Sequence, residues 1–264
     1  MFLLEVNKDT NIHTEEVAVA AELLAQKAWL ENKENNEVFK MVDLSELETM
    51  QIPEDATPVG SIEFCERVLE YPLATTNVPK GLRDPLYTGR RITDAKPETL
   101  AAVFKDFGTD TLFIKSATQC KCDYTGIYKL GDQLPDDIYF VSEVINPIAE
   151  WRCFVWNGQI VDIRRYIGDY GQSLSTADLQ LIKNMVIAID AEYNKKMPAY
   201  VIDVGKSETR DLPVIIEIHN FIACGLYGFS DKRLLPMLRD GAIAERALRC
   251  QSYNEENEAV QPEE

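Results

Sequence analysis

The stretch PVIIEIHNF (213–221) decides how this chain is read. Four apolar residues in a row, three of them β-branched, describe a buried strand. A carboxylate, an imidazole and a carboxamide then follow, on Glu217, His219 and Asn220. Polar groups at the end of such a strand are costly to bury unless something partners them. A second run, AYVIDVGKS (199–207), carries Asp203 in the same way, and the short polar loop GKSETRD (205–211) joins the two as an antiparallel pair. That pairing brings both carboxylates to one end of a sheet, where they repel unless a cation lies between them. Magnesium, a hard ion that takes oxygen ligands and keeps waters for substrate phosphates, suits such a pair. Two strand-end carboxylates facing water are the plainer alternative, and the residues alone leave both open.

Working outward, the 264 residues suffice for one large domain or a few small ones. With 45% hydrophobic and 27% charged residues, the composition is that of a soluble globular protein. No stretch approaches the roughly 18 apolar residues of a membrane helix. FLLEV (2–6) has no basic region before it, so it reads as a first strand and not a signal peptide. A net charge of −17, from 44 acidic and 27 basic residues, repels phosphate backbones and argues against general nucleic-acid binding. The six cysteines form no C-x-x-C pair and read as reduced thiols of a cytoplasmic protein. CKC (120–122) is a poor zinc site in a chain with two histidines.

TEEVAVAAELLAQKAWLE (14–31) has the apolar spacing of an amphipathic helix. EVFKMVDL (37–44) reads as a strand, and TPVGSIEFCERVLEY (57–71) as a strand, a glycine turn and a helix. Together they predict a small parallel α/β unit. PLATTNVPKGLRDPLYTGRRIT (72–93) has no period and reads as a linker with a domain boundary near 75–80. Beyond it come a helix in 94–108, strands in 110–117, 122–130 and 136–145, and the hairpin EWRCFVWNGQIVDIRRYIG (150–168) turning at Asn157-Gly158. A capped helix follows in 175–194, then the strand pair, a helical segment in 230–250 and the acidic tail 251–264.

Lys115 sits in the middle of the apolar strand LFIKSA, where it either snorkels to water or faces an anion in a cleft. Lys121 follows on the next loop; Arg152, Arg164 and Arg165 lie on the hairpin arms, and alternation puts Arg152 on one face with Glu150 and Phe154. Each alone reads as a surface charge. Four strand-borne cations and two strand-borne acids, in so acidic a chain, make a coherent site for a divalent cation and polyphosphate.

The order of these motifs resembles the ATP-grasp superfamily. The carriers are a lysine on a strand, a glycine-containing turn, an apolar strand closing on SEVI (142–145), then EWRCFVWNGQIV (150–161), IDVG (202–205), IIE (215–217) and GLYG (225–228). The resemblance spans about 58–230 and is nearest to a small phage-associated clade marked by an arginine and two lysines. It implies a chain of mixed α+β and α/β class. An ATP-grasp fold, two α+β lobes clamping ATP, would follow a small Rossmann-like pre-ATP-grasp domain. The implied divisions are 1–78 for the pre-domain, 79–148 and 149–250 for the two lobes, and 251–264 for a disordered tail.

Carried over by position, the resemblance implies that Lys115 holds the α/β-phosphates and Lys121 contacts phosphate from its loop. The backbone of Glu143, Val144 and Ile145 would read the adenine at the lobe hinge, the Glu143 carboxylate taking the ribose or the adenine amino group. Arg152, with Arg165, would stabilise the γ-phosphate during transfer, and Asp203 and Glu217 would hold Mg²⁺. One position departs from the family, which places an asparagine two residues after the strand glutamate. Here His219 stands there and Asn220 comes one later, on the opposite strand face. Three arrangements follow: His219 ligates, a bulge brings Asn220 in, or the metal site is weakened. GLYG resembles a loop on the acceptor side and equally suits a tight turn.

The implied activity is an ATP-dependent carboxylate–amine ligase using Mg-ATP and an acyl phosphate. Its substrates would be ATP and the carboxylate and amine of small molecules, amino acids or peptides, with no nucleic acid and no membrane as partner. A catalytically weakened nucleotide-binding or acidic interaction module is the alternative.

Overall fold

A computed structural model of the chain describes the backbone of residues 1–258 except 11–12, 74, 76, 194–195 and 208–209. Side chains are described to residue 247, that of residue 211 excepted. The first apolar run forms β1 (Phe2–Glu5), whose two leucines are fully buried. In α1 (Glu15–Leu30) the buried residues Val17, Ala20, Leu24 and Ala28 recur at helical spacing and give the helix one inward face. α2 (Asn35–Val38) leads into β2 (Phe39–Val42); β3 (Thr57–Val59) and α3 (Ile62–Leu69) follow. The α3 cap is Ser61, whose Oγ accepts from the Phe64 N–H at 3.2 Å. Both neighbours of β1 run parallel to it, in the order β2-β1-β3, so the expected parallel unit is present.

The segment read as a periodless linker holds a 3-10 turn (Lys80–Leu82), α4 (Pro85–Thr88) and the start of β4 (Ile92–Ala95). Asp84 caps α4 at the Leu86 N–H, 2.7 Å away, with proline in the first turn. Next come α5 (Pro97–Phe107), β5 (Thr111–Ser116), β6 (Gly126–Lys129) and β7 (Tyr139–Ser142). They form an antiparallel sheet in the order β4-β7-β5-β6. Phe104 and Phe107 of α5 pack against Leu112, Ile114, Tyr139 and Val141 on one face of that sheet. A second four-stranded sheet, in the order β11-β10-β8-β9, contains β8 (Pro147–Trp156), β9 (Gln159–Gly168), β10 (Ala199–Ser207) and β11 (Arg210–Asn220). Between β9 and β10 lies α6 (Thr176–Glu192), and α7 (Leu234–Glu258) ends the described chain.

The predicted hairpin turns as expected. Asn157 and Gly158 both have positive φ, 50° and 73°, which is what a two-residue connection between right-twisted strands requires. At the far end of the hairpin, Gly168 has φ 98°, and an added Cβ would run into the Ile148 carbonyl. Gly168→Ala is expected to destabilise the protein by about 1–3 kcal/mol, from backbone strain and that collision. Urea unfolding measures it, and a midpoint equal to wild type would refute the close approach.

The chain divides into two compact units. One comprises Met1–Leu73, Lys196–Ala199 and Asn220–Glu264; the other comprises Ala74–Lys195 and Tyr200–His219. This differs from the boundaries read from the sequence, because α7 packs on α1 and β3 of the first unit instead of joining residues 149–250. Its buried Leu234, Met237, Leu238 and Ala242 supply the apolar face that does so. α7 also continues to Glu258, into the expected tail, and residues 259–264 lie outside the described residues. The five described cysteines are free thiols. Among the described residues, no helix is long and apolar enough to cross a membrane.

Candidate active site

The second unit carries its two sheets on either side of a cleft, and β5 supplies the first functional group. Leu112, Ile114 and Ser116 turn inward, so alternation sends Phe113 and Lys115 to the other face. There the Lys115 Nζ lies 3.5 Å from Glu217 Oε2 on β11 and 5.4 Å from the centre of the Phe140 ring. Burial pulls the Lys115 ammonium below its ordinary pKa, while the Glu217 carboxylate opposes that shift. These residues line a cavity of about 200 Å³, together with Phe113, Glu150 and the segment Glu143, Val144 and Ile145. That segment carries no strand pairing and links β7 of one sheet to β8 of the other. A larger cavity of about 710 Å³ adjoins it, sharing Arg90 and the same linking segment.

On the second sheet the carboxylates converge as the strand pair predicts. Asp203, Glu217 and His219 each offer a ligand atom, and these lie within 4.8 Å of one another. Glu217 Oε1 faces His219 Nε2 across 4.0 Å. Arg152 on β8 holds Asp203 with two parallel bonds, Nε to Oδ1 at 2.8 Å and an Nη to Oδ2 at 2.7 Å. Both side chains are nearly sealed from water, at 7% and 2% exposure. Each carboxylate oxygen has a second lone pair beyond the one Arg152 takes, so the pair does not close Asp203 to a cation. Two carboxylates and one imidazole at this separation fit a single divalent cation.

Of the remaining expected site residues, Glu143 lines both cavities with its carboxylate engaged, and the others lie outside them. Glu143 is engaged by Arg91, which donates to its carboxylate from Nε at 3.1 Å, from an Nη at 2.6 Å and from its backbone N–H at 2.8 Å. The Arg91 guanidinium holds the Glu143 carboxyl below the usual carboxylate range. Arg165 donates to the Asp169 and Gln172 carbonyls and stacks on Tyr170 at 4.1 Å; it is not among the described residues lining either cavity. Lys121 is exposed on the loop after β5, which Asp137 anchors through Ser116 at 2.6 Å, Thr118 at 2.9 Å and the Tyr124 hydroxyl. The Asn220 carboxamide donates to the Gly241 carbonyl and accepts from the Ile222 N–H, both at 3.3 Å. GLYG turns tightly, with φ 49° at Tyr227 and 85° at Gly228.

Two cleft groups were given no site role by the sequence reading. Arg90 is buried and donates to three carbonyls, those of Thr88 at 3.0 Å, Ile215 at 2.8 Å and Ile216 at 3.0 Å. It therefore clamps the strand just before Glu217, and burial lowers its pKa to about 10. The adjacent arginines after Gly89 in a chain so acidic were the available signal. Glu150, two residues before Arg152, accepts from the Tyr166 hydroxyl at 2.6 Å. Burial raises its pKa, Asp203 and Glu217 add to the rise, and the Tyr166 bond opposes it.

A family model described as an ATP-grasp domain, family 2 of its clade, matches residues 87–237, more than half of the chain. No curated protein matches. Among solved structures, D-alanyl-alanine synthetase A from Vibrio cholerae is similar at TM-score 0.52 and 12% identity, covering 92% of this chain and 98% of that one. A RimK domain protein ATP-grasp from Sphaerobacter thermophilus reaches TM-score 0.51 at 12% identity, over 94% of this chain and 100% of its own. The ATP-grasp ligase PsnB complexed with minimal precursor reaches 0.50 at 14%, over 92% and 98%. At such identities the likeness is one of fold.

Proposed function

We propose, because this chain belongs to the ATP-grasp domain family, that it is an ATP-dependent ligase joining a carboxylate to an amine. The observation that carries the reading is the meeting of Lys115 with Glu217 at the cavity beside the linking segment, next to the Asp203, Glu217 and His219 cluster. The β4–β7 sheet with α5 would serve as one lobe and the β8–β11 sheet with α6 as the other. The linking segment 143–146 would be the hinge between them, its backbone reading the adenine.

In the proposed reaction a carboxylate oxygen of the substrate attacks the γ-phosphorus of ATP, the bond to the β,γ-bridging oxygen breaks, and ADP leaves. The amine of the second substrate then attacks the acyl carbon; phosphate departs and the amine loses a proton. Lys115, buried and positive, draws the phosphates into the cleft. Arg152 lies beside the cation ligands and stabilises charge developing on the transferring group. Arg90 keeps the Glu217 strand in register. Asp203, Glu217 and His219 are the residues that would hold the divalent cation, which when bound neutralises phosphate charge. Lys121 and Arg165 would reach phosphate only with movement of their segments.

A binding module without turnover is the second reading. The Arg152–Asp203 pair favours it, because the guanidinium assigned to transfer is already held by two bonds to Asp203. Thermal unfolding and ADP release separate the two. ATP with divalent cation at about a hundred times its dissociation constant is expected to stabilise the wild type by about 2.7 kcal/mol. Lys115→Ala is expected to lose that shift. ADP release on addition of a carboxylate and an amine supports the ligase; binding without ADP release in a screen of amino acids and peptides supports the module. A wild type that ATP leaves unshifted sinks both.

A further inference from the structure

The cation cluster differs from an all-oxygen magnesium site in one ligand. His219 follows Glu217 by two residues on β11, so alternation puts both on the same strand face. Its Nε2 points at Glu217 Oε1 across 4.0 Å, too far for a hydrogen bond. Two ligands bound to one cation at about 2.1 Å each lie between about 3.0 Å apart at a right angle and about 4.2 Å apart in line. The observed gap falls within those limits. The side chain is 11% exposed, so the imidazole is held inside the cleft wall and not swept by solvent.

Donor chemistry then decides which cation such a site favours. Magnesium is hard, dehydrates reluctantly and gains little from a nitrogen donor. First-row transition cations accept imidazole readily, and among them Mn²⁺ keeps the octahedral, oxygen-rich coordination that carboxylates and phosphates supply. We infer that His219 tunes this site toward a transition cation, with Mn²⁺ bound ahead of Mg²⁺ through the imidazole nitrogen. The inference rests on the proposed nucleotide reading of the cleft and goes beyond it by naming the cation and the residue that selects it. Asn220 takes no part, since its carboxamide is bonded to Gly241 and Ile222.

The test uses the full chain with Mn²⁺ and a non-hydrolysable ATP analogue. Pulsed electron paramagnetic resonance of bound Mn²⁺ is expected to show coupling to an imidazole nitrogen, and His219→Asn to abolish it. In competition titrations followed by the free Mn²⁺ signal, His219→Asn restores an oxygen donor. It is expected to lower the preference for Mn²⁺ over Mg²⁺ by about tenfold or more, with the far-ultraviolet circular dichroism unchanged. His219→Gln provides the same comparison should the asparagine variant fold poorly, and the wild-type nitrogen coupling stands without any variant. Bound Mn²⁺ without nitrogen coupling, or an unaltered preference in the folded variants, overturns the inference and leaves the nucleotide reading intact. A wild type that binds neither Mn²⁺ nor the nucleotide analogue overturns both.

Discussion

Arg152→Ala is expected to destabilise the fold by about 3–5 kcal/mol and to abolish ATP-dependent product formation, the first effect being the cost of a buried charge left without its partner. Asp203, at 2% exposure, would lose both of its guanidinium bonds in a place water scarcely reaches. The Arg152 guanidinium also lies 5.7 Å from the Tyr166 ring centre, so the truncation removes packing as well as charge. Urea unfolding of the single variant measures the sum. Arg152→Met combined with Asp203→Leu isolates the charge: replacing both partners by apolar groups of similar volume is often neutral, so most of the stability should return. Activity should not, since the double variant has neither the cation ligand nor the arginine. If the single variant instead unfolds within about 1 kcal/mol of wild type, as exposed ion pairs do, then the pair is open to water and its burial is not what holds it.

That result bears on how inactive variants are read. Loss of product formation in Arg152→Ala has two causes, a missing catalytic charge and a weakened sheet. Lys115→Ala separates better. Its partner Glu217 is 30% exposed, so water can solvate the carboxylate once the lysine is gone.

The charged residues on apolar strands were the legible part of this site, because a strand that buries its alternate residues leaves few places for a lysine or a carboxylate. Lys115, Arg152, Asp203, Glu217 and His219 all came from that argument, and the structure gathers them along one cleft. Arg165 came from the same kind of argument and lies elsewhere, whereas Glu143 came from the family resemblance and is engaged. Arg165 sits near the end of its hairpin, where the next loop offers it carbonyls. Glu143 meets Arg91, whose position no strand pattern predicts. Arg90 was missed for the same reason: its segment is rich in proline and glycine, and short elements such as α4 and β4 leave no period to detect. The return of α7 to the first unit was illegible on different grounds. Periodicity tells that a helix has an apolar face, and it does not tell which distant surface that face covers.

Asp178→Ala is expected to rank beside Arg152→Ala, at about 3–5 kcal/mol, because it strips a buried pair and a helix cap at once. The Asp178 carboxylate accepts from Lys206 Nζ at 2.6 Å and from the Ser175 N–H at 2.7 Å, while Ser175 Oγ accepts from the Asp178 N–H at 3.2 Å. Removing it leaves the Lys206 ammonium, 14% exposed, with a Ser173 carbonyl at 3.4 Å in place of a carboxylate. Burial raises the Asp178 pKa, but Lys206 and the two Ser175 bonds outweigh burial and leave it below the ordinary value. A depressed carboxyl stabilises the fold above its unfolded pKa, near pH 4, and the stabilisation drains as pH falls through the folded value. Wild type should therefore keep its full advantage over Asp178→Asn down to about pH 5 and lose it as the pH drops from about 4 through the folded value, toward about 2. Urea titrations at intervals across that range test it, and a constant gap would mean that the carboxylate charge contributes nothing. Lys206 also lines the larger cavity, three residues beyond Asp203 on β10. The pair anchors that strand to α6, so the same variants ask whether the Asp203 end of β10 depends on being fastened at its other end.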